Sequence, residues 1–359
     1  MTHEPNSCFA SPRNPVLQDG LNTYLKESVF TEPGEHARAL GGWDQSYVQL
    51  SAGRFVGTIR QVGLGSLNLV RETTNRVIHE QGRMPGNHRI ICVPISMTGL
   101  AYFNGLPWTI NSCTSLTGEA DFDLVTADAL ELISISVDCD LLGHYFDPSD
   151  DSTRAASSII RLLPRQLPSL LSLLGSILQS VASDPRILQS TIVRNDIKDA
   201  LCEVMADILY RPAERWSPRT VYSVRRQIVW DAIEYVRSDA YGNVSVSDLC
   251  RLLRINRRTL QEYFLSVVNL SPKQYLLAYR LNKVRGLLVG GDEALSIREA
   301  AMRWGFWHLS DFASNYKRLF QELPSSTVDT RRSLSRRRGT ESCELRLLAT
   351  PSSDLQRDP

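Results

Sequence analysis

From about Trp43 to Val137 the apolar and polar residues alternate in short runs. The stretch SYVQLSAGRFVGTIRQVGLGSLNLVRE keeps a period of two and is broken at Gly53, Gly57, Gly63 and Gly65. That is the pattern of strands joined by turns. HRIICVPIS, GLAYFNG, SLTGEADFDLVT and LELISISVD continue it, so a small barrel or jelly roll is expected. After Asp140 the period lengthens. LPSLLSLLGSILQSVAS reads as a helix, and in RILQSTIVRNDIKDALCEVMADILYR the residues Val193, Ile197, Leu201, Val204 and Ile208 form one stripe at steps of three and four. Such a stripe covers the neighbouring domain or pairs with a second copy of the chain.

RPAERWSPRT (211–220), with two prolines, reads as a linker, and everything from Val221 to Leu323 reads as helical. A first helix runs near 221–239. Ser245 with Asp248 three residues on makes a capping box, and Asn256 caps the next helix. That helix turns Leu260, Phe264 and Val267 inward and Arg257, Arg258, Gln261 and Glu262 outward. Two short helices around a tight turn, the second with a polar face, make a helix-turn-helix. Ser271-Pro272 opens a longer helix to about Leu288, with proline at the first position. Ser296 and Glu299 form another capping box, Gly305 supplies a turn, and HLSDFASNYKRLF follows, anchored by Phe312, Tyr316 and Phe320. This is a second helix-turn-helix.

Charge gives these units a partner. The formal net charge is only +1, yet residues 216–338 hold 21 Lys and Arg against 11 Asp and Glu, while the remainder holds 19 against 28. A basic part joined to an acidic part suggests a polyanion-binding module attached to something else. A linking helix of about seventeen residues spans about 25 Å, near the ~34 Å between successive major-groove faces once side-chain reach is added. One chain can therefore offer both second helices to adjacent turns of double-stranded DNA. Arginine forks guanine O6 and N7, and glutamine pairs with adenine, which suits Arg258 and Gln261 to base edges. Arg257, Lys317 and Arg318 are suited to phosphates. A solvated helix face would explain these residues equally well if they were isolated, but not two units at this separation.

Residues 244–324 resemble the DNA-binding region of the AraC/XylS family of transcription regulators. The first unit matches as VSVSDLCRLLRINRRTLQEYF, the linking helix as LSPKQYLLAYRLNKVRGLL, and the signature as AAMRWGFWHLSDFASNYKRLF followed by Pro324. The family's glycine after Phe320 is Gln321 here, its Ser-Pro is Leu323-Pro324, and its Tyr-Arg is Thr327-Val328. Trp307 stands where a Ser or Asp cap is common. The resemblance implies DNA contact by Arg257, Arg258, Thr259, Gln261 and Glu262 of the first unit. In the second it implies His308, Ser310, Asp311, Ser314, Lys317 and Arg318. It further implies activation through RNA polymerase and a small-molecule effector in the N-terminal domain. GGWDQSYVQLSAGRFVGTIRQ and AAMRWGFWHLSDFAS look most like the branch that controls ethanolamine utilisation, which points to a small amine or alcohol. An amine would need a buried carboxylate or an aromatic face; Glu119, Asp121 or Asp123 in TGEADFDLV either provides it or is a solvent-facing strand residue.

The expected fold class is α+β: an N-terminal β-rich jelly-roll or cupin-like domain with flanking helices, and a C-terminal all-α double helix-turn-helix domain. The divisions are 1–30 as polar lead-in, 31–210 as sensing or dimerising domain, 211–220 as linker, 221–330 as DNA-binding domain and 331–359 as polar tail. Trp43, Phe55, Tyr102, Phe103 and Trp108 either line an effector pocket or fill the barrel. A ligand-independent regulator whose first domain only dimerises is the alternative reading. An enzyme tethered to DNA is another, but no Gly-x-Ser-x-Gly, phosphate loop or HExxH is present, and HEQGR is not one. His79, Glu80 and His88 lack the spacing of a metal site, and no cofactor is called for. Seven scattered cysteines fit a reducing compartment, and no apolar run nears the ~20 residues of a membrane span. Residues 1–15 lack the pattern of a secretory signal, so a cytoplasmic location is expected.

Overall fold

A computed structural model describes residues 23–333, apart from 85, 146–156, 212, 217–221, 240–241 and 291–294. The lead-in before residue 23, half of the linker and the tail after 333 lie outside the described residues. The N-terminal part is two antiparallel sheets, as the alternation predicts. The larger runs in the order β1 (Thr23–Phe30), β3 (Gly57–Leu64), β4 (Leu67–Thr74), β11 (Ala129–Asp138), β6 (His88–Thr98), β9 (Ser112–Thr117), β12 (Ser157–Arg161) and β13 (Glu214–Trp216). The smaller runs β2 (Asp44–Gln49), β5 (Ile78–Arg83), β10 (Asp121–Val125), β7 (Ala101–Phe103) and β8 (Leu106–Trp108). Two edge strands fall in stretches read as lead-in and linker. TYLKESVF pairs residue for residue with β3, and Glu214–Trp216 pairs with β12. Neither carries a long alternating signal of its own. Distant partners fix both.

Each face of the larger sheet has a different cover. Ile90, Leu116, Leu130 and Leu132 meet Phe103, Trp108, Phe122 and Leu124 of the smaller sheet. On the other face Val62, Leu67, Leu69, Ile91, Val93, Ile133 and Ile135 pack under the helices α3 (Gln166–Ser183) and α4 (Thr191–Tyr210). The α4 stripe is thus used inside the chain: Leu201 and Ile208 are fully buried there, and Ile197 and Val204 pack beside them. The short helix α1 (Pro33–Ala39) packs on β2 and β3, and α2 (Cys139–Leu142) on β11 and β6. Phe55, Phe103 and Trp108 are buried, but the five aromatic residues do not share a pocket. Trp43 packs edge-on against Phe122, Phe55 faces His36, and Tyr102 lies against the helical domain.

The helical domain comprises α5 (Tyr222–Ser238), α6 (Val246–Leu253), α7 (Arg257–Val268), α8 (Pro272–Gly290), α9 (Ile297–Arg303) and α10 (Leu309–Phe320). A further helical segment covers 324–333, where Thr327 and Val328 replace the family's usual pair and are buried. Its core of Val229, Ile233, Leu249, Leu260, Phe264, Leu281, Val284, Phe312 and Tyr316 is continuous with Val48, Leu50 and Val125 on the outer face of the smaller sheet. The two domains therefore share a core.

Polar contacts lock the same boundary. The Gln49 backbone N–H donates to Asn282 Oδ1, and Asn282 Nδ2 donates to the Gln49 carbonyl, both at 2.9 Å. His79 is buried between Asp123 (Nε2 to Oδ2, 2.7 Å) and Tyr275 (Nδ1 to Oη, 2.8 Å). With Nε2–H donating to the carboxylate and the phenol donating to Nδ1, all three are satisfied. Arg285 of α8 bridges Glu32 of the first domain (Nε to Oε2, 2.8 Å) and Glu322 beyond α10 (Nη1 to Oε1, 2.8 Å). Hollows of about 460 and 400 Å³ flank that bridge, and both are lined by Glu32, Glu35, Arg285 and Val289.

Candidate nucleic-acid interface

The starts of the helices are built as their sequence dictates. Ser245 accepts from the Asp248 N–H at 3.2 Å while Asp248 accepts from the Ser245 N–H at 2.9 Å, a complete capping box. Ser296 and Glu299 repeat it for α9. Asn256 caps α7 through the Thr259 N–H at 2.8 Å. Ser271 and Gln274 make the same reciprocal pair ahead of α8. Helix α10 differs: His308 at its N-cap makes no side-chain bond to the helix. Its far end differs too, because Gln321 takes a left-handed conformation (φ 55°) where the family pattern has glycine.

These caps orient two polar faces. Arg257, Arg258, Gln261 and Glu262 are exposed on α7, and Thr259 is half-buried. His308, Ser310, Asp311, Ser314, Lys317 and Arg318 are all exposed at or along α10. Behind them Leu260, Phe264 and Val267, and Phe312, Tyr316 and Phe320, enter the core.

A hollow of about 910 Å³ is bordered by part of each helix, but not by Arg258, Thr259, Glu262, His308, Ser310, Asp311, Ser314 or Lys317. Arg257 and Gln261 of α7, Lys273 and Arg280 of α8, and Asn315 and Arg318 of α10 border it, with no acidic residue in its lining. Asn315 was missing from the sequence expectations; it donates to the Asp311 carbonyl and accepts from Arg318 Nη2 at 2.6 Å. Its position one turn before Leu319 was the available signal.

Two of the expected residues hold each other. Arg258 Nε donates to Glu262 Oε1 at 3.0 Å, with the side chains 90% and 60% exposed. An exposed pair four apart on a helix contributes about 0.3–0.5 kcal/mol, little against the 1–3 kcal/mol of a bidentate base contact, so Arg258 is free to exchange partners. Arg257 Nη2 donates to Ser247 Oγ at 3.2 Å.

The acidic and imidazole residues of the first domain go elsewhere. Asp121 pairs with Arg83 on the surface, Asp123 is buried against His79 and Gln81, and Glu119 occupies a left-handed turn. His88 meets the Gly86 carbonyl. Sequence reasoning missed the buried carboxylate of Glu72 and weighed Glu80 only as a metal ligand. Tyr47 donates to Glu72 at 3.1 Å, and His36 Nε2 lies 3.1 Å from the same carboxylate. Burial, then the Glu72 charge, pushes the Glu80 carboxyl well above its ordinary range. Cys92 beside them is pushed up to about 12, chiefly by burial.

Residues 249–330 match the family model described as a helix-turn-helix domain. Over 113 residues the chain is 29% identical to the XylDLEGF operon transcriptional activator of Pseudomonas putida, covering 31% of this chain and 35% of that one. Over 104 residues it is 33% identical to the "Probable thc operon regulatory protein" of Rhodococcus erythropolis, covering 29% and 31%. The match thus spans about a third of the length of these relatives. Among solved structures it is similar to the AraC-like transcriptional activator CuxR at 14% identity and a TM-score of 0.35, covering 63% of this chain and 80% of that one. No helix among the described residues is long and apolar enough to cross a membrane. The segment 249–330 is a helix-turn-helix domain.

Proposed function

We propose that this protein is a sequence-specific DNA-binding transcription regulator, an activator whose first domain senses a small molecule and acts on the helical domain through α8. One observation supports the DNA reading: Arg257 and Gln261 of α7 and Asn315 and Arg318 of α10 border one hollow whose charged lining side chains are all cations. Arg258 and Gln261 read base edges, with Ser310, Asp311, Ser314 and His308 from α10. Arg257, Lys317 and Arg318 hold phosphates, and RNA polymerase is the downstream partner. Binding of the full-length chain to fragments of its own genome tests this. Each phosphate neutralised should steepen the fall of log K with log salt by about 0.9. A salt-independent affinity would remove the reading.

The effector reading rests on where space is found. Aromatic side chains fill the gap between the sheets, which favours the ligand-independent alternative for the barrel centre. Room exists instead in the two hollows beside Arg285, where a ligand would touch the helix that carries both reading units. A small polar metabolite is the class proposed, an amine or amino alcohol by the sequence resemblance. A melting screen of the full chain against amines, amino alcohols, carboxylates and aromatic acids tests it. A true effector at a hundredfold excess over its Kd stabilises by about 2.7 kcal/mol. If no compound shifts the transition and transcription is constitutive, the ligand-independent reading replaces it.

A further inference from the structure

Among the described residues, Trp307 makes no hydrogen bond or ring contact. It lies in the turn between α9 and α10 with 69% of its surface exposed, more than any other described aromatic residue. Relative to α10 it stands just before the N-cap, where an apolar side chain commonly packs on the fourth helical residue and fixes the entry of the chain. That fourth residue is Phe312, and Phe312 is already engaged by Phe306, the ring centroids 5.1 Å apart. The staple is made one residue early, and the Trp307 indole is turned out. Its neighbours His308, Leu309, Ser310 and Asp311 are exposed with it.

The two ends of α10 have different chemistry. Lys317 and Arg318 lie in its last turn, so the phosphate-seeking charge is there. The first turn holds hydrogen-bonding groups and one large apolar surface. Recognition helices enter the major groove with their N-terminal residues against the bases, and the one apolar group displayed there is the thymine C5 methyl. We propose that Trp307 is a specificity-determining residue, packing its indole against a thymine methyl in the major groove. This rests on the DNA-binding reading above. It adds an apolar contact to a helix whose other readers are small and polar.

The test begins with selection of a site from random DNA by the full-length protein, Trp307→Ala and Trp307→Phe. Each thymine of the selected site is then replaced by deoxyuracil, which removes only the methyl. The parent should lose about fivefold in affinity at one such position, the low end of the cost of one wrong base pair. Trp307→Ala should lose a similar factor on the thymine site and become indifferent to that methyl, while Trp307→Phe keeps most of the preference. Melting temperatures should match, since the side chain is largely exposed. A parent indifferent to every methyl, or a Trp307→Ala protein with unchanged affinity and base preference, overturns the proposal. The second result combined with lost transcription would place Trp307 on a protein partner instead. A parent that selects no sequence at all would bring down the DNA reading, and this inference with it.

Discussion

Arg285→Met removes the cation that three elements share. Its guanidinium forks Glu32, reaches Glu322, and stacks 4.6 Å over the Phe320 ring, while its side chain is only 10% exposed. Burial works against its charge, but Glu32, Tyr316 and Glu322 together hold its pKa above the ordinary value. Methionine keeps the apolar contact with Phe320 and leaves two largely buried carboxylates without a counter-charge. Breaking a buried pair from one side costs about 3–5 kcal/mol, a large share of the ~5–15 kcal/mol that holds a typical protein folded. The pH dependence follows from Glu32. Burial already raises its carboxyl more than Arg285 lowers it, and losing Arg285 raises it further. A carboxyl with a raised native pKa favours the folded state below its unfolded pKa, near 4.5, and loses that contribution as pH rises through the native value. The deficit of Arg285→Met should therefore be full at pH 8 and shrink towards pH 5. Adding Glu32→Gln and Glu322→Gln should restore most of it. Urea unfolding of the full chain at both pH values measures this. A deficit under about 1 kcal/mol at pH 8, or one of equal size at both, would refute the clamp.

Other changes separate reading from holding. Arg258→Ala should lose about 1–3 kcal/mol on the selected site and relax one base position, whereas Lys317→Ala should weaken all sequences alike and lower the salt slope; identical selected motifs for parent and Arg258→Ala would contradict the assignment. Glu80→Gln should raise the melting temperature at pH 8 and do little below pH 5, because a carboxyl with a raised native pKa costs stability only where it must ionise. A pH-independent effect would mean that the charge is not what matters there. Gln321→Gly should stabilise by about 1 kcal/mol by relieving a left-handed side-chain position, read by thermal unfolding. No gain would show that the Gln321 Nε2 bond to the Arg318 carbonyl, at 3.1 Å, already offsets the strain.

The helical domain was legible because its signals are local. Ser245 and Asp248, or Ser296 and Glu299, lie three residues apart, and the stripe through Leu260, Phe264 and Val267 repeats within two turns. The strands of the barrel showed as alternation, but β1 and β13 exist only through partners 27 or more residues away. Nothing in the sequence paired Glu32 with Arg285, 253 residues apart, or Gln49 with Asn282, 233 apart. Val48 and Val125 looked like ordinary strand residues, although they belong to the helical domain's core. The site suffered from the same limit. The exposed faces of α7 and α10 could be read, but the hollow bordered by part of each, with Lys273, Arg280 and Asn315, required the fold.

Helix α8, 19 residues from Pro272 to Gly290, also sets an angular phase between the two reading units. Each residue added to it would turn one unit by about 100° relative to the other and shift it by about 1.5 Å. A single inserted alanine would thus point one recognition helix away from the face that the other uses. The sheet would resist it as well, since Gln49 and Asn282 hold the helix at one rotation. On the proposed DNA reading, an operator suited to this chain would have its two contacted segments at one fixed spacing, with no allowance for a spacer one base pair longer.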